Sequence, residues 1–392
     1  YGDAIYAGYN CSINSDNCTF NDNKANRQGG AVYVNQNSHL SINNSVFSDN
    51  IADKGGAVYG AKSTDLKIDN STFTSNEAND KGGAIFIDES SGLNINNCHF
   101  SNLIAEVDGG AIYGRSNVIV KRSTFNDTTA NTGSGGAIYT SSGYVSVSNS
   151  TFINNTADID GGAIYSSSDS IRVIDSNFSY TTVVGWGSGG AIFGNAGVDI
   201  INSNFTNTQA GIWGGAIFGR NSISVSNSTF TNNKANNGGS IYIGGDGNLI
   251  VSESIFNHIV ANIDGGAIYG ETGTNINVSN STFINATATE YGGAIYGEGS
   301  VSVADCQFIN NTADCGGAIY GQSNCSVSVI GSTFNNNSAK YFGGAIYGRK
   351  NVDVLGSTFN NCTSNFAGAI SVISGICTVV GSNFINTVAI NG

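Results

Sequence analysis

The stretch Asn149-Ser150-Thr151-Phe152-Ile153-Asn154-Asn155-Thr156-Ala157-Asp158-Ile159-Asp160-Gly161-Gly162-Ala163-Ile164-Tyr165 decides the fold, because close copies of it recur along the whole chain. Phe152 belongs to a ladder of fifteen phenylalanines spaced 25 to 27 residues apart: Phe20, Phe47, Phe73, Phe100, Phe125, Phe152, Phe178, Phe205, Phe230, Phe256, Phe283, Phe308, Phe334, Phe359 and Phe384. A unit of that size is too short to bury a core alone but long enough for one turn of a three-sided β-coil, so each unit must pack on its neighbours.

The Gly-Gly-Ala-Ile-Tyr end of the stretch forms a second ladder, starting at Gly29, Gly55, Gly82, Gly109, Gly135, Gly161, Gly189, Gly214, Gly265, Gly292, Gly316 and Gly343, with looser copies at Gly2, Gly238 and Ala367. Its aliphatic residue is Ile or Val in every copy, as expected of an inward-facing position in a first strand. Seven and five residues before the Phe lie pairs such as Leu66 and Ile68, Val118 and Val120, or Val352 and Val354, alternating with polar residues, which predict a second strand. A third strand runs through Ser-Thr-Phe. Two residues before the Phe stands Ser or Cys in all fifteen units, and five after it Ala in thirteen. Small, large, small, all pointing inward, fills a narrow β-helix without overpacking. Asn two or three residues after the Phe in twelve units fits a bend with stacked amides.

These patterns predict an all-β fold, a single-stranded right-handed parallel β-helix of about 15 coils of roughly 26 residues each. One continuous domain over 1–392 is expected, with no separate catalytic or capping domain. The absence of proline and the 54 glycines agree, since proline would delete a ladder hydrogen bond in every interior strand. Fifteen basic against 28 acidic residues leave a net charge of −13, which repels phosphate backbones and argues against nucleic acid as a partner. No apolar run reaches the ~20 residues that cross a bilayer, so this segment is not expected to insert in a membrane. The register runs unbroken from Tyr1 to Gly392, where the next Gly pair is due. Two arrangements fit: a window from a longer array, or coils that stack head to tail on another copy and yield filaments.

Catalytic or metal chemistry is not expected, and neither is a cofactor. His39, His99 and His258 fall in unrelated coil positions, and the coils are too uniform to wall a cleft with converging charged side chains. Asp108, Asp160 and Asp264 share the place before the Gly pair but lie two and four coils apart, which reads as a turn role. The regular Asp of calcium-binding β-rolls is missing. Cys18, Cys98 and Cys306 take the small inward site and read as space-filling free thiols, while Cys11 with Cys18 and Cys306 with Cys315 remain open as pairs within one coil.

The aromatic residue after each inward aliphatic forms its own column, including Tyr59, Tyr113, Tyr139, Tyr165, Tyr269 and Tyr296. If Ile faces inward, these rings face outward as an apolar stripe, a candidate ligand or lateral-contact surface; the opposite facing stays open. Trp186 and Trp213, which precede Gly pairs in adjacent coils, are candidates for a sugar-stacking patch. Seventeen Asn-x-Ser/Thr sequons, among them Asn70, Asn149, Asn227 and Asn280, permit a glycosylated exterior.

Gly-Gly-Ala-Ile followed by Phe-x-x-Asn, as in Phe20 with Asn23, Phe152 with Asn155 and Phe334 with Asn337, resembles the repeat of the polymorphic outer-membrane proteins of chlamydiae. Gly-Gly-Ala-Ile-Tyr with Asn-Ser-Thr-Phe is also similar to adhesin-like β-helix surface proteins of methanogenic archaea. The resemblance covers the chain and implies an exported β-helix at the cell surface or outside the cell, with an adhesive or structural role and no catalytic residue. The expected function is therefore a non-enzymatic surface fibre or adhesin-like stalk. Its expected partners are copies of itself, joined end to end or laterally, and host or matrix glycans or surface proteins. The alternatives are a carbohydrate-binding adhesin or a polysaccharide lyase or hydrolase.

Overall fold

The computed structural model describes residues 1–391, so the register at Gly392 lies outside the described residues. The chain divides into two units, Tyr1–Ala196 and Gly197–Gly392. Each is a parallel β-solenoid, with no helix among the described residues.

In the first unit, the coil that opens at Gly82 runs through strands Ile85–Ile87, Gly92–Asn96 and His99–Ala105. Its partners in the next coil stand in identical register: Ile85 with Ile112, Leu93 with Val118, Ile95 with Val120, Phe100 with Phe125 and Ala105 with Ala130. The second unit repeats the plan. Its coil at Gly265 has strands Ile268–Gly270, Asn275–Ser279, Thr282–Ile284 and Thr287–Ala288, with Ile268 beside Ile295, Ile276 beside Val301 and Phe283 beside Phe308. The return from the bend to the Gly pair was legible only as a connection, yet it pairs as a further short strand. Glu77–Lys81 lies beside Ile51–Lys54 in the first unit, and Val260–Asp264 beside Lys234–Asn237 in the second.

The expected inward set is the core. Ile85, Leu93, Ile95, Phe100 and Ala105 are buried, as are Ile268, Ile276, Val278 and Phe283. The Phe rings stack face on face at the spacing of the coils, 4.7 Å apart for Phe47 and Phe73 and 4.7 Å for Phe256 and Phe283. Each buried ring contributes roughly 1.5–3 kcal/mol from removal of its surface from water.

The small residue two before the Phe does more than fill space. Its hydroxyl donates to the carbonyl two residues earlier and accepts the backbone N–H of its counterpart in the preceding coil. Ser150 Oγ thus donates to Ser148 O at 2.8 Å and accepts from Ser123 N at 3.1 Å, and Ser254 and Ser281 repeat the pattern. A cysteine meets the same demand more weakly, as where Ser281 N donates to Cys306 Sγ at 3.5 Å. All eight cysteines are free thiols, so neither Cys11 with Cys18 nor Cys306 with Cys315 is bridged.

The Asn bend resolves into two columns. The residue two after the Phe has φ near +50° to +57° in all fifteen coils, from Asp22 to Asn386, and the residue three before it is left-handed in all fifteen as well. These corners explain the richness in Asn, Asp and Gly, which tolerate that conformation. The residue three after the Phe points inward instead. Asn50 is fully buried, donates to Asn76 Oδ1 at 2.8 Å and Phe20 O at 3.0 Å, and accepts from Asn23 Nδ2 at 2.7 Å. Asn311 and Asn337 form the same amide rung at 3.0 Å in the second unit.

The two glycines of each pair are required for different reasons. Gly82 has φ +69°, whereas a Cβ on Gly83 would lie 2.0 Å from the carbonyl oxygen of Gly110 in the next coil. Gly83→Ala is therefore expected to cost about 3 kcal/mol or more, because backbone rather than a movable side chain blocks it. Gly356, with φ +59° and open space around the missing Cβ, is expected to tolerate Ala at a cost of about 1 kcal/mol. Urea unfolding of the two variants checks the difference.

Candidate functional site

The aromatic column lies on the strand face opposite the Ile core, as period-two alternation requires, but it is not an exposed stripe. Tyr59 and Tyr113 retain 5% and 4% of their surface, Tyr296 retains 3%, and Tyr139, Tyr165 and Tyr269 are half-buried. The rings form separate clusters, in the first unit Tyr33, Tyr59, Phe86 and Tyr113 with Tyr139 against them. In the second, Tyr296, Tyr320 and Tyr347 cluster with Tyr269, Tyr291 and Phe342.

Two layers hide the column. Each ring covers its neighbour, with centroids 5.0 Å apart for Tyr113 and Tyr139 and 4.6 Å for Tyr269 and Tyr296. In several coils the residue before the Gly pair then folds over the ring of the following coil. In the first unit two lysines do this: Lys54 Nζ stands 5.6 Å from the Phe86 centroid, and Lys81 Nζ 4.7 Å from that of Tyr113. Lys81 is fixed there by a 2.8 Å ion pair with Asp108. In the second unit two aromatic residues do it: Trp213 stacks on Tyr242 at 5.2 Å and Tyr291 on Tyr320 at 4.7 Å.

Several of the hydroxyls bond to the coil that follows, at the residue two after the next ring. Tyr59 donates to Asp88 at 3.3 Å, Tyr242 to Glu271 and Tyr269 to Glu298 at 2.7 Å, while Gln322 donates to Tyr296 at 3.0 Å. Phe replaces Tyr at 86, 193 and 218, below Arg115, Arg220 and Gly244, none of which offers a side-chain acceptor, although Tyr33 and Tyr320 stand likewise below Ala61 and Arg349. Burial, reinforced by the accepting carboxylates, pushes the Tyr242 and Tyr269 hydroxyls well above their ordinary range, so both remain donors.

Asp108, Asp160 and Asp264 act in the turn as their shared position suggests. Each carboxylate accepts the backbone N–H of the residue before the next Gly pair, Ser134 at 3.1 Å, Ser188 at 2.8 Å and Tyr291 at 3.0 Å. Asp264 differs in its surroundings. Burial, then the nearby charge of Glu290, pushes its carboxyl up to about 7, although the Tyr291 N–H opposes the shift.

The two tryptophans are in unlike environments. Trp186 is the most exposed large apolar residue, at 87%, in the first unit with exposed Ile159, Tyr180 and Val184. Trp213 is half-buried against Phe218 and Tyr242 in the second. The sequon residues Asn70, Asn149, Asn227 and Asn280 are all exposed at the left-handed corner three residues before the Phe.

Sequence reasoning missed two surface features. On the outer face of the second-strand sheet in the first unit, a shallow groove of about 580 Å³ gathers His39, Asp65, Lys67, Asn94, Lys121 and Arg122. These residues are far apart in the chain, but register places them together: His39 pairs with Asp65, and Lys67 with Asn94. Charged side chains therefore meet on one face, in an open groove rather than a walled cleft, where Lys67 pairs with Asp69 at 3.2 Å and Arg122 donates to Asn96 at 2.5 Å. The outward positions of the second strand carried that signal. The second feature is an apolar corner where Ile330, Leu355 and Val380, 45%, 49% and 53% exposed, stack in register. Each precedes Gly331, Gly356 or Gly381 where most other coils have Asn, Asp or another polar residue. No group of three or more metal-ligating side chains occurs among the described residues.

Stacked ladders of this kind define a parallel β-solenoid built from short sequence repeats. A right-handed β-helix region matches residues 56–217. The Chlamydia polymorphic membrane protein repeat matches residues 17–35, 44–61, 227–244, 305–322 and 331–349, so the chain carries polymorphic-membrane-protein-type repeats on a right-handed β-helix. No curated protein matches it. Among solved structures, a PL6 family alginate lyase, AlyGC, aligns over 95% of this chain and 97% of its own at 10% identity and a TM-score of 0.21, which carries no argument about activity.

A carboxyl whose folded pKa lies above its unfolded value of ~3.9 binds its proton more tightly in the folded state, so its cost to stability grows as pH rises from ~4 to about 7 and is complete above. Asp264→Asn keeps the acceptor for Tyr291 N–H and removes the charge. It is expected to raise the unfolding temperature at pH 8 and to leave it nearly unchanged at pH 4, as calorimetry at the two pH values would show.

Proposed function

We propose that the chain is a non-enzymatic structural protein of the cell surface or extracellular space, a fibre or adhesin-like stalk whose coils stack end to end between copies. The observation that supports this best is how completely the recurrent positions serve stacking. Phe rings, Ser hydroxyls and Asn amides all bond or pack from one coil to the next. A chain that offers its own repeat as the partner surface extends by the same contacts that fold it, and a heterologous contact of that kind does not close.

Polymorphic-membrane-protein-type repeats agree with a surface association. Lateral contacts between copies belong to the Ile330, Leu355 and Val380 corner rather than to the buried tyrosines, since that corner is apolar, exposed and free of side chains at its glycines. Asn70, Asn149, Asn227 and Asn280 are placed where a glycan would project from a corner without entering the core, which suits a glycoprotein surface. Contacts with host or matrix glycans or surface proteins fall to the exposed aromatic residues, Trp186 foremost.

Electron microscopy of the purified chain over a range of concentrations tests the reading. Filaments with a layer spacing of about 4.8 Å along the axis are expected. Discrete particles at every concentration would argue against end-to-end assembly, and depolymerisation of an acidic polysaccharide by the purified chain would overturn the non-enzymatic assignment.

A further inference from the structure

One concavity of the second unit opens beside the aromatic column, where the residues around the Tyr242 rung depart from those of other coils. It has a volume of about 430 Å³ and is lined by Trp213, Phe218, Arg220, Asn221, Gly245 and Glu271 among others. Trp213 and Phe218 form an aromatic wall, their centroids 5.9 Å apart and their planes 20° from parallel. Trp213 is the only tryptophan at its place in the coil; the equivalent position holds Lys54, Lys81, Tyr291 or Phe342 in some coils and Gln, Asp, Ser, Asn or Cys in the others.

The polar side of the pocket is held in place before any ligand arrives. Glu271 accepts the Tyr242 hydroxyl on Oε1 and the Gly245 N–H on Oε2 at 2.9 Å, so its carboxylate cannot swing away, yet each oxygen keeps a lone pair for a further donor. Arg220 stands with its guanidinium carbon 6.0 Å from the Phe218 centroid. Its side chain is exposed and has neither an ion pair nor a hydrogen bond among the described residues. In a chain of net charge −13, a guanidinium set over a ring without a carboxylate partner is free to pair with an anion. The Asn221 side chain adds an amide that can donate and accept.

We propose that this pocket binds a pyranose ring bearing a single carboxylate, a uronic-acid-type residue of a glycan. The C–H face of the ring lies on Trp213 and Phe218, the carboxylate meets Arg220 through paired N–H donors, and ring hydroxyls bond Glu271 and Asn221. A neutral sugar would leave Arg220 without its counter-ion. A doubly charged phosphate would bring excess negative charge beside the fixed Glu271 carboxylate. The inference rests on the adhesin-like half of the proposed function and names the chemistry that half would recognise; it does not depend on filament formation.

The test uses the whole chain with Trp186→Phe, so that Trp213 is the sole tryptophan and its fluorescence reports the pocket. Titration with tetragalacturonate is expected to shift that fluorescence to saturation, and the fully methyl-esterified oligosaccharide to bind at least tenfold more weakly. Arg220→Gln, an exposed substitution whose folding is checked by circular dichroism, is expected to abolish that discrimination. Equal binding of acid and ester, an unchanged preference in Arg220→Gln, an equal response to inorganic phosphate, or no response to tetragalacturonate would each overturn the assignment. Filaments formed by a chain that fails this test would leave the structural reading standing, while binding by a chain that stays monomeric would do the reverse.

Discussion

A parallel coil places every side chain about 4.8 Å from its counterpart in the next coil, and the rest of the structure follows from that constraint. A residue can occupy an inward column only if it tolerates a copy of itself, or a near relative, above and below. Phenylalanine meets the condition by stacking, as for Phe100 and Phe125 with centroids 4.6 Å apart. Asparagine meets it because its amide is donor and acceptor at once, and serine because its hydroxyl gives to its own strand and takes from the neighbouring coil. Aspartate in the same buried column would repel its copy, and it is absent there; the aspartates occupy corners, turns and outward strand positions, and in the turns a backbone N–H donates to them.

The constraint also explains the buried tyrosines. A ring above another ring is already half covered, and in several coils the residue before the Gly pair adds to the cover at little cost, a lysine stem and ammonium at Lys54 and Lys81 and a second aromatic ring at Trp213 and Tyr291. The sequence showed the column and its periodicity. It did not show the cover, because Lys81, Trp213 and Tyr291 share a position but no chemistry, and because strand alternation says which face a side chain leaves from, not what crosses over it afterwards. Asp264 follows the same logic: its place among the turn aspartates was legible, whereas its raised carboxyl depends on burial beside Glu290 and on nothing periodic.

What could be read in advance was therefore whatever repeats. The Ile, Phe, Ser and Ala columns, the parallel order and the coil count follow from spacing alone. The role of the Asn bend was visible only in outline, since the left-handed corner at Asn154 and the inward rung at Asn155 are adjacent and of the same residue type. Features that occur once were not visible: the groove around Lys67 and Lys121, and the pocket where Arg220 and Glu271 face Trp213. In a repeat protein, function is carried by the departures from the repeat, and departures have no period to betray them.

Register is the central claim, and a pair of engineered cysteines tests it most directly. Ser224 and Ile250 face outward and are paired across adjacent coils, whereas Ser252 lies two residues further along the same neighbouring strand. Adjacent positions fall within disulfide reach, while diagonal ones at about 7–8 Å do not. With Cys11, Cys18 and Cys377 replaced by serine, mild oxidation is expected to close the bridge in the Ser224→Cys, Ile250→Cys variant and to leave Ser224→Cys, Ser252→Cys open. Preferential closure of the second pair would contradict the register on which every ladder depends.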